Sequence, residues 1–79
     1  MKKELLCEWL GLPDKTWPPD PWTLLGVPRG ERDMAVVERR VQECLGKLRG
    51  YQLAFPEEAT EGMNRLAEAY IAVAEANSG

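Results

Sequence analysis

The sequence predicts a small all-α protein, and three observations lead to this fold class. Apolar residues recur at helical spacing in two long segments, proline and glycine mark the segment ends, and no stretch alternates apolar and polar residues as a half-buried strand does. At 79 residues, with 44% hydrophobic and 29% charged side chains, the chain has the composition of an ordinary globular domain. We therefore expect one helical domain over residues 1–79.

The N-terminal segment, residues 1–19, predicts a short helix followed by an extended strap. Residues 2–10 place four apolar side chains on one helical face, namely Leu5, Leu6, Trp9 and Leu10. Gly11 and Pro13 then stop the helix. The following residues are rich in proline, which fixes its own φ and keeps the preceding residue out of the helical region. This favours an extended strap along the rest of the domain.

Two further helices follow, each with a recognisable start. Asp20 is a suitable N-cap with Pro21 at the first helical position, and Gly26 can close this short helix with a positive φ. Asp33 predicts the start of a long helix that ends near Gly50, with an apolar stripe of Val37, Val41, Cys44 and Leu48. Gly46 costs about 1 kcal/mol relative to alanine inside a helix, which indicates a close helix–helix approach or a bend.

The last helix is predicted to begin at Pro56, where Glu57 and Glu58 favour a first turn, and to run to about Ala76. Its apolar stripe consists of Ala59, Met63, Leu66, Tyr70 and Val73. The two long stripes have matching periods and are separated by a loop of roughly six residues, as in an antiparallel helical hairpin.

Composition excludes several classes of function. The chain has no histidine, two cysteines and no glycine-rich phosphate loop, so we expect no enzyme, no metal site and no cofactor. Its net charge of -3 does not favour nucleic acid binding. Glu4 and Glu8 interrupt any signal-peptide core, and no apolar run is long enough for a membrane span. Two thiols without a disulfide framework favour a cytoplasmic setting.

Residues 20–76 resemble a J-domain. DPWTLLGV, at residues 20–27, is similar to the opening Asp-Tyr-Tyr-x-x-Leu-Gly-Val of that family, and the last helix is similar to Phe-x-x-Ile-x-x-Ala-Tyr-x-x-Leu. The resemblance implies a J-domain-like antiparallel hairpin with a short preceding helix. In the family, the hairpin loop carries His-Pro-Asp, which stimulates the ATPase of the 70-kDa heat-shock chaperone. Here Arg49, Gly50 and Tyr51 fill these positions, so we do not carry that activity over.

A narrower resemblance includes the N-terminus. EWLGLPDKTWPPDPWTLLGV, residues 8–27, is similar to a J-like leader without His-Pro-Asp in planctomycete-type bacterial signalling proteins, where it often precedes a serine/threonine kinase. The resemblance implies a non-catalytic interaction or regulatory module, placed N-terminally in a larger signalling protein. The alternatives are a divergent co-chaperone that reaches the 70-kDa chaperone without His-Pro-Asp, and a purely structural or dimerisation domain.

The partner is expected to be a protein, either separate, chaperone-like or part of the same polypeptide. The candidate contact residues lie on the basic helix and the following loop, and they are Arg39, Arg40, Lys47, Arg49, Tyr51 and Phe55. The alternative for the cations is an ordinary solvated helix face. Tyr51, Leu53 and Phe55 either plug the open end of the hairpin or form a docking patch. The three tryptophans either pack the N-terminal segment or form an aromatic cradle.

Overall fold

The computed structural model describes residues 2–12 and 17–78, and within these residues it contains four α-helices and no strand. The helices are α1 (Lys3–Trp9), α2 (Pro21–Leu25), α3 (Met34–Arg49) and α4 (Pro56–Ser78). The predicted all-α class is therefore confirmed, and α4 extends two residues beyond its predicted end. Residues 13–16 of the predicted strap lie outside the described residues. No described helix is both long and apolar enough to cross a bilayer.

Local side-chain chemistry fixes the helix starts as the sequence predicts. The Asp20 carboxylate accepts a hydrogen bond from the Thr23 backbone N–H at 3.1 Å, and the Asp33 carboxylate accepts one from that of Ala35 at 3.0 Å. Each of these donors belongs to the first turn of a helix, where no backbone carbonyl can satisfy it. Gly26 closes α2 with a φ of 71°, a left-handed conformation that glycine adopts without strain.

The core is organised around α4, because α1, α2 and α3 all pack against it. The side chains that are fully buried come from every helix, and the largest are Leu6, Leu25, Leu48, Leu66, Val37, Val73 and Cys44. Removing each such side chain from water contributes roughly 1.5–3 kcal/mol. All four helices therefore contribute buried apolar side chains to one core.

The long helices α3 and α4 run in opposite directions. Leu48, near the end of α3, lies against Gly62 in the first part of α4. The Tyr70 hydroxyl donates to the Glu38 carboxylate at 3.4 Å, and Asn77 at the end of α4 donates to the thioether of Met34, the first residue of α3. Contacts that advance along α4 thus move back along α3.

The buried seam of α4 agrees with the predicted stripe at three of its five positions. Buried residues recur at spacings of three and four along this seam, namely Ala59, Gly62, Leu66, Ala69 and Val73. Met63 and Tyr70, which the prediction placed in the stripe, are only half-buried. The smaller neighbours Gly62 and Ala69 face inward in their place.

Gly62, rather than Gly46, is the site of close helix approach. A Cβ atom built at Gly62 would lie 2.8 Å from Leu48 Cδ1 and 2.9 Å from Leu6 Cδ2. A Cβ atom at Gly46 would meet no atom within 4 Å, and the residue is exposed. Of the two alternatives predicted for Gly46, the close helix approach is therefore wrong, because Gly46 lies on the outer surface of α3, and the bend stays a prediction.

Candidate functional site

The predicted contact residues lie on the outer part of α3 and on the turn that follows it. Arg39, Lys47 and Arg49 are exposed, Arg40 and Phe55 are half-buried, and Tyr51 is 38% exposed. Lys47 and Arg49 point about 160° apart around the helix because each residue advances by 100°. The six residues therefore do not form one compact site.

Arg40 has an internal role that the sequence prediction did not include. Its Nε donates to the backbone carbonyl of Leu25 at 3.0 Å, and its Nη1 donates to the Glu43 carboxylate at 2.7 Å. Leu25 is the last residue of α2, so the guanidinium satisfies a carbonyl at the negative end of that helix. It also lies over Gly26, where a Cβ atom would come within 2.7 Å of Arg40 Nη2. We therefore leave Arg40 out of the candidate surface.

Replacing Arg40 with methionine should lower the free energy of unfolding by about 1 kcal/mol, because the Leu25 carbonyl loses its charged donor. Methionine and arginine have similar helix propensities, so the change tests the contact rather than the helix. The matched control is Arg39→Met on the exposed face of the same helix. Urea unfolding of both variants measures the difference, and equal stabilities would contradict the capping role.

Three α3 cations have no ion-pair partner in the described part of the fold. Among residues 2–12 and 17–78, no carboxylate forms an ion pair with Arg39, Lys47 or Arg49. By contrast, Arg65 on α4 pairs with Glu61 at 3.0 Å and with Glu68 at 3.4 Å. The three exposed α3 side chains are therefore able to pair with carboxylates of another molecule.

The turn after α3 is held by α1. The Trp9 and Tyr51 rings stack with centroids 4.0 Å apart and planes 7° apart, and Phe55 packs on Trp9 at 5.3 Å with a 58° tilt. The Phe55 backbone N–H also donates to the Tyr51 carbonyl at 2.8 Å. Tyr51 and Phe55 thus pack on α1 through the Trp9 ring. Leu53 does not take part, since its side chain is fully exposed.

An open groove runs beside this aromatic stack. It is lined by Trp9, Gly46, Lys47, Gly50 and Tyr51. The predicted contact residues include Lys47 and Tyr51 but not Gly46 and Gly50, and Trp9 enters the prediction only through the aromatic-cradle alternative. The available signal is the energetic cost of Gly46 in a helix.

Carboxylates at the start of α4 attach the N-terminal segment. The Glu58 carboxylate accepts the backbone N–H of Lys2 at 2.9 Å, and this hydrogen bond lowers the pKa of Glu58. Glu61 accepts the Trp17 indole N–H at 3.0 Å and the Arg65 Nε at 3.0 Å, and these donors lower the pKa of Glu61. Both carboxylates are therefore charged acceptors, Glu58 for the residue before α1 and Glu61 for Trp17.

Other reactive groups are shielded or scattered. Cys44 is fully buried, and desolvation raises the pKa of its thiol, so a smaller fraction is present as the reactive thiolate. Within the described ranges, no three histidine, cysteine, aspartate or glutamate side chains are grouped to hold a metal ion.

Comparison of the chain with protein-family models, with curated proteins and with solved structures finds no match. The candidate site combines an aromatic turn fixed by Trp9 with exposed α3 cations that form no ion pair within the described part of the chain.

Proposed function

We propose that the chain is a non-catalytic protein interaction module that binds its partner through the hairpin end, which we define as residues 46–55 of α3 and the following turn together with Trp9. The observation that carries this proposal is the combination of Leu53, fully exposed, with a turn fixed by the Trp9–Tyr51 stack. Interface centres commonly combine apolar anchors and aromatic rings, with cations around them. Lys47 and Arg49 supply the cations here.

A fixed turn also makes binding less costly. The backbone N–H groups of Tyr51 and Gln52 donate to the carbonyls of Leu48 and Arg49 at 3.0 and 3.3 Å, which continues the helical geometry past the end of α3. The side chain of Leu53 is therefore presented from an ordered backbone. A partner that covers Leu53 does not have to order a flexible loop, so less conformational entropy is lost on association.

We also propose a J-domain-like architecture for residues 20–76. Support comes from α2, which ends at Gly26 with a left-handed turn before Val27, and from the opposed directions of α3 and α4. The resemblance of residues 8–27 to leaders of planctomycete-type proteins supports an N-terminal place in a larger bacterial signalling protein, and we include this in the proposal.

The proposal is tested by photo-crosslinking from position 53. A benzophenone amino acid replaces Leu53 in cells that naturally produce the protein, and the matched control carries the same group at Ala35, which is exposed at the opposite end of α3. We expect discrete crosslinked proteins from position 53 that are absent from position 35. They should be lost when Lys47→Glu and Arg49→Glu are added. Identical patterns from both positions would contradict a binding role for the hairpin end.

The co-chaperone alternative has a separate readout. With no imidazole in the chain, and with the Tyr51 ring stacked on Trp9 at the His-Pro-Asp position, we expect no stimulation of ATP turnover by a 70-kDa heat-shock chaperone. If the domain stimulates ATP turnover several-fold and Lys47→Glu abolishes this effect, the chain is a divergent co-chaperone and the proposed function is wrong.

A further inference from the structure

Gly46 is a costly residue that the fold itself does not explain. It lies within α3, where glycine is the least favourable residue apart from proline. Its φ is not positive, and a Cβ atom at this position would meet nothing within 4 Å. Neither backbone conformation nor internal packing therefore requires glycine here. The remaining physical advantage of glycine is close approach by atoms from outside the chain.

The surroundings of Gly46 form a place for such an approach. Gly46 and Gly50 are one helical turn apart and give the groove a floor without side chains, which the Trp9–Tyr51 stack and Lys47 border. Another polypeptide backbone can therefore come close to the surface of α3 along this groove. Only Trp9, on α1, lies outside residues 20–76, so the groove joins the N-terminal segment to the part of the chain that resembles a J-domain.

We infer that this groove binds an acidic peptide segment of the partner protein, an inference that rests on the proposed function and specifies its partner. No carboxylate lines the groove, and Lys47 on its border has no ion-pair partner among residues 2–12 and 17–78. Arg39 is also exposed on α3, and the nearby Glu43 carboxylate is already paired with Arg40 at 2.7 Å. A glutamate or aspartate of the segment pairs with Lys47, and its backbone lies over Gly46 beside the aromatic rings.

The inference predicts opposite effects of one substitution on stability and binding. Gly46→Ala and Gly46→Met add side chains with better helix propensity into open space, so the melting temperature should rise by roughly 4–8 °C. The same side chains fill the floor of the groove, so affinity for an acidic segment should fall about tenfold, and more for methionine. A purely structural glycine would not combine a gain in stability with a loss of binding.

The probe is a random peptide library displayed on phage and selected on the immobilised domain. We expect the selected peptides to be enriched in aspartate and glutamate. Synthetic copies labelled with fluorescein should bind the domain, and fluorescence anisotropy should record about tenfold weaker binding to Gly46→Met and to Lys47→Glu. The matched control, Ala35→Met, places the same side chain at the far end of α3 and should change affinity less than twofold.

Each contrary outcome identifies what has failed. Selection without acidic enrichment, acidic peptides that ignore Gly46→Met, or a lower melting temperature of Gly46→Ala would overturn the acidic-segment inference. A wild-type dimer in sedimentation that Gly46→Met makes monomeric would assign the groove to a second copy and also overturn it. If crosslinks from position 53 persist in these cases, the proposed interaction module still stands. If those crosslinks are absent, both the interaction module and the acidic-segment inference are wrong.

Discussion

Replacing Trp9 with alanine should lower the free energy of unfolding by about 3 kcal/mol. Its indole stacks on Tyr51 and packs against Phe55, so the substitution removes both aromatic contacts and the apolar area they cover. The expected loss is toward the lower end of the range for buried tryptophan, because Trp9 is only half-buried. Urea unfolding followed by circular dichroism at the helix band measures it.

The matched control for Trp9→Ala is Leu53→Ala in the same region. Leu53 is also large and apolar, but its side chain is fully exposed, so the free energy of unfolding should change by less than about 0.5 kcal/mol. Comparable losses for the two variants would contradict the packing assigned to Trp9. An unchanged stability of Trp9→Ala would place the indole on the surface and remove the border of the groove.

Replacing Gly62 with leucine should also lower the free energy of unfolding by about 3 kcal/mol, although leucine has a much higher helix propensity than glycine. Even the first carbon of the new side chain would overlap Leu48 Cδ1 at 2.8 Å and Leu6 Cδ2 at 2.9 Å. Leu48 and Leu6 are fully buried between the helices, so their side chains must shift and the rest of the new leucine must still fit among α1, α3 and α4. The loss is measured by thermal and urea unfolding.

Two comparisons isolate the cause of the Gly62 effect. Gly46→Leu makes the same chemical change in open space on α3 and should leave stability unchanged or raise it. Leu48→Ala makes room beside Gly62, so its combination with Gly62→Ala should cost less than the sum of the two single changes. Additive losses would show that the side chains do not compete for one space.

Features that depend on neighbouring residues were predictable from the sequence. Asp20 and Asp33 cap helices by accepting from backbone N–H groups only two or three residues away. Gly26 directly follows the last residue of α2 and has the positive φ that its position predicted. The apolar periodicity was likewise sufficient to place α3 and α4. It did not determine the exact seam of α4, because large Met63 and small Gly62 are adjacent and only the other helices decide which faces inward.

The site was harder to predict because its contacts join distant parts of the chain. Arg40 is indistinguishable from Arg39 in a list of helix cations until the Leu25 carbonyl is placed beside it. Trp9 was expected to pack, but the sequence gave no reason to choose Tyr51 and Phe55 as its partners. Gly46 carried a usable signal, and its interpretation required knowing that the surrounding space is open.

Because Trp9 belongs to α1, the groove exists only while α1 is docked. Among the helices, α1 packs chiefly on α4, and Glu58 holds its first turn through the Lys2 N–H. Short helices with few such attachments open locally at a lower free energy than the core. Each opening of α1 would remove Trp9 while α2, α3 and α4 stay packed. The apparent dissociation constant of a groove ligand therefore equals the intrinsic value divided by the docked fraction of α1, and the ligand in turn stabilises that helix.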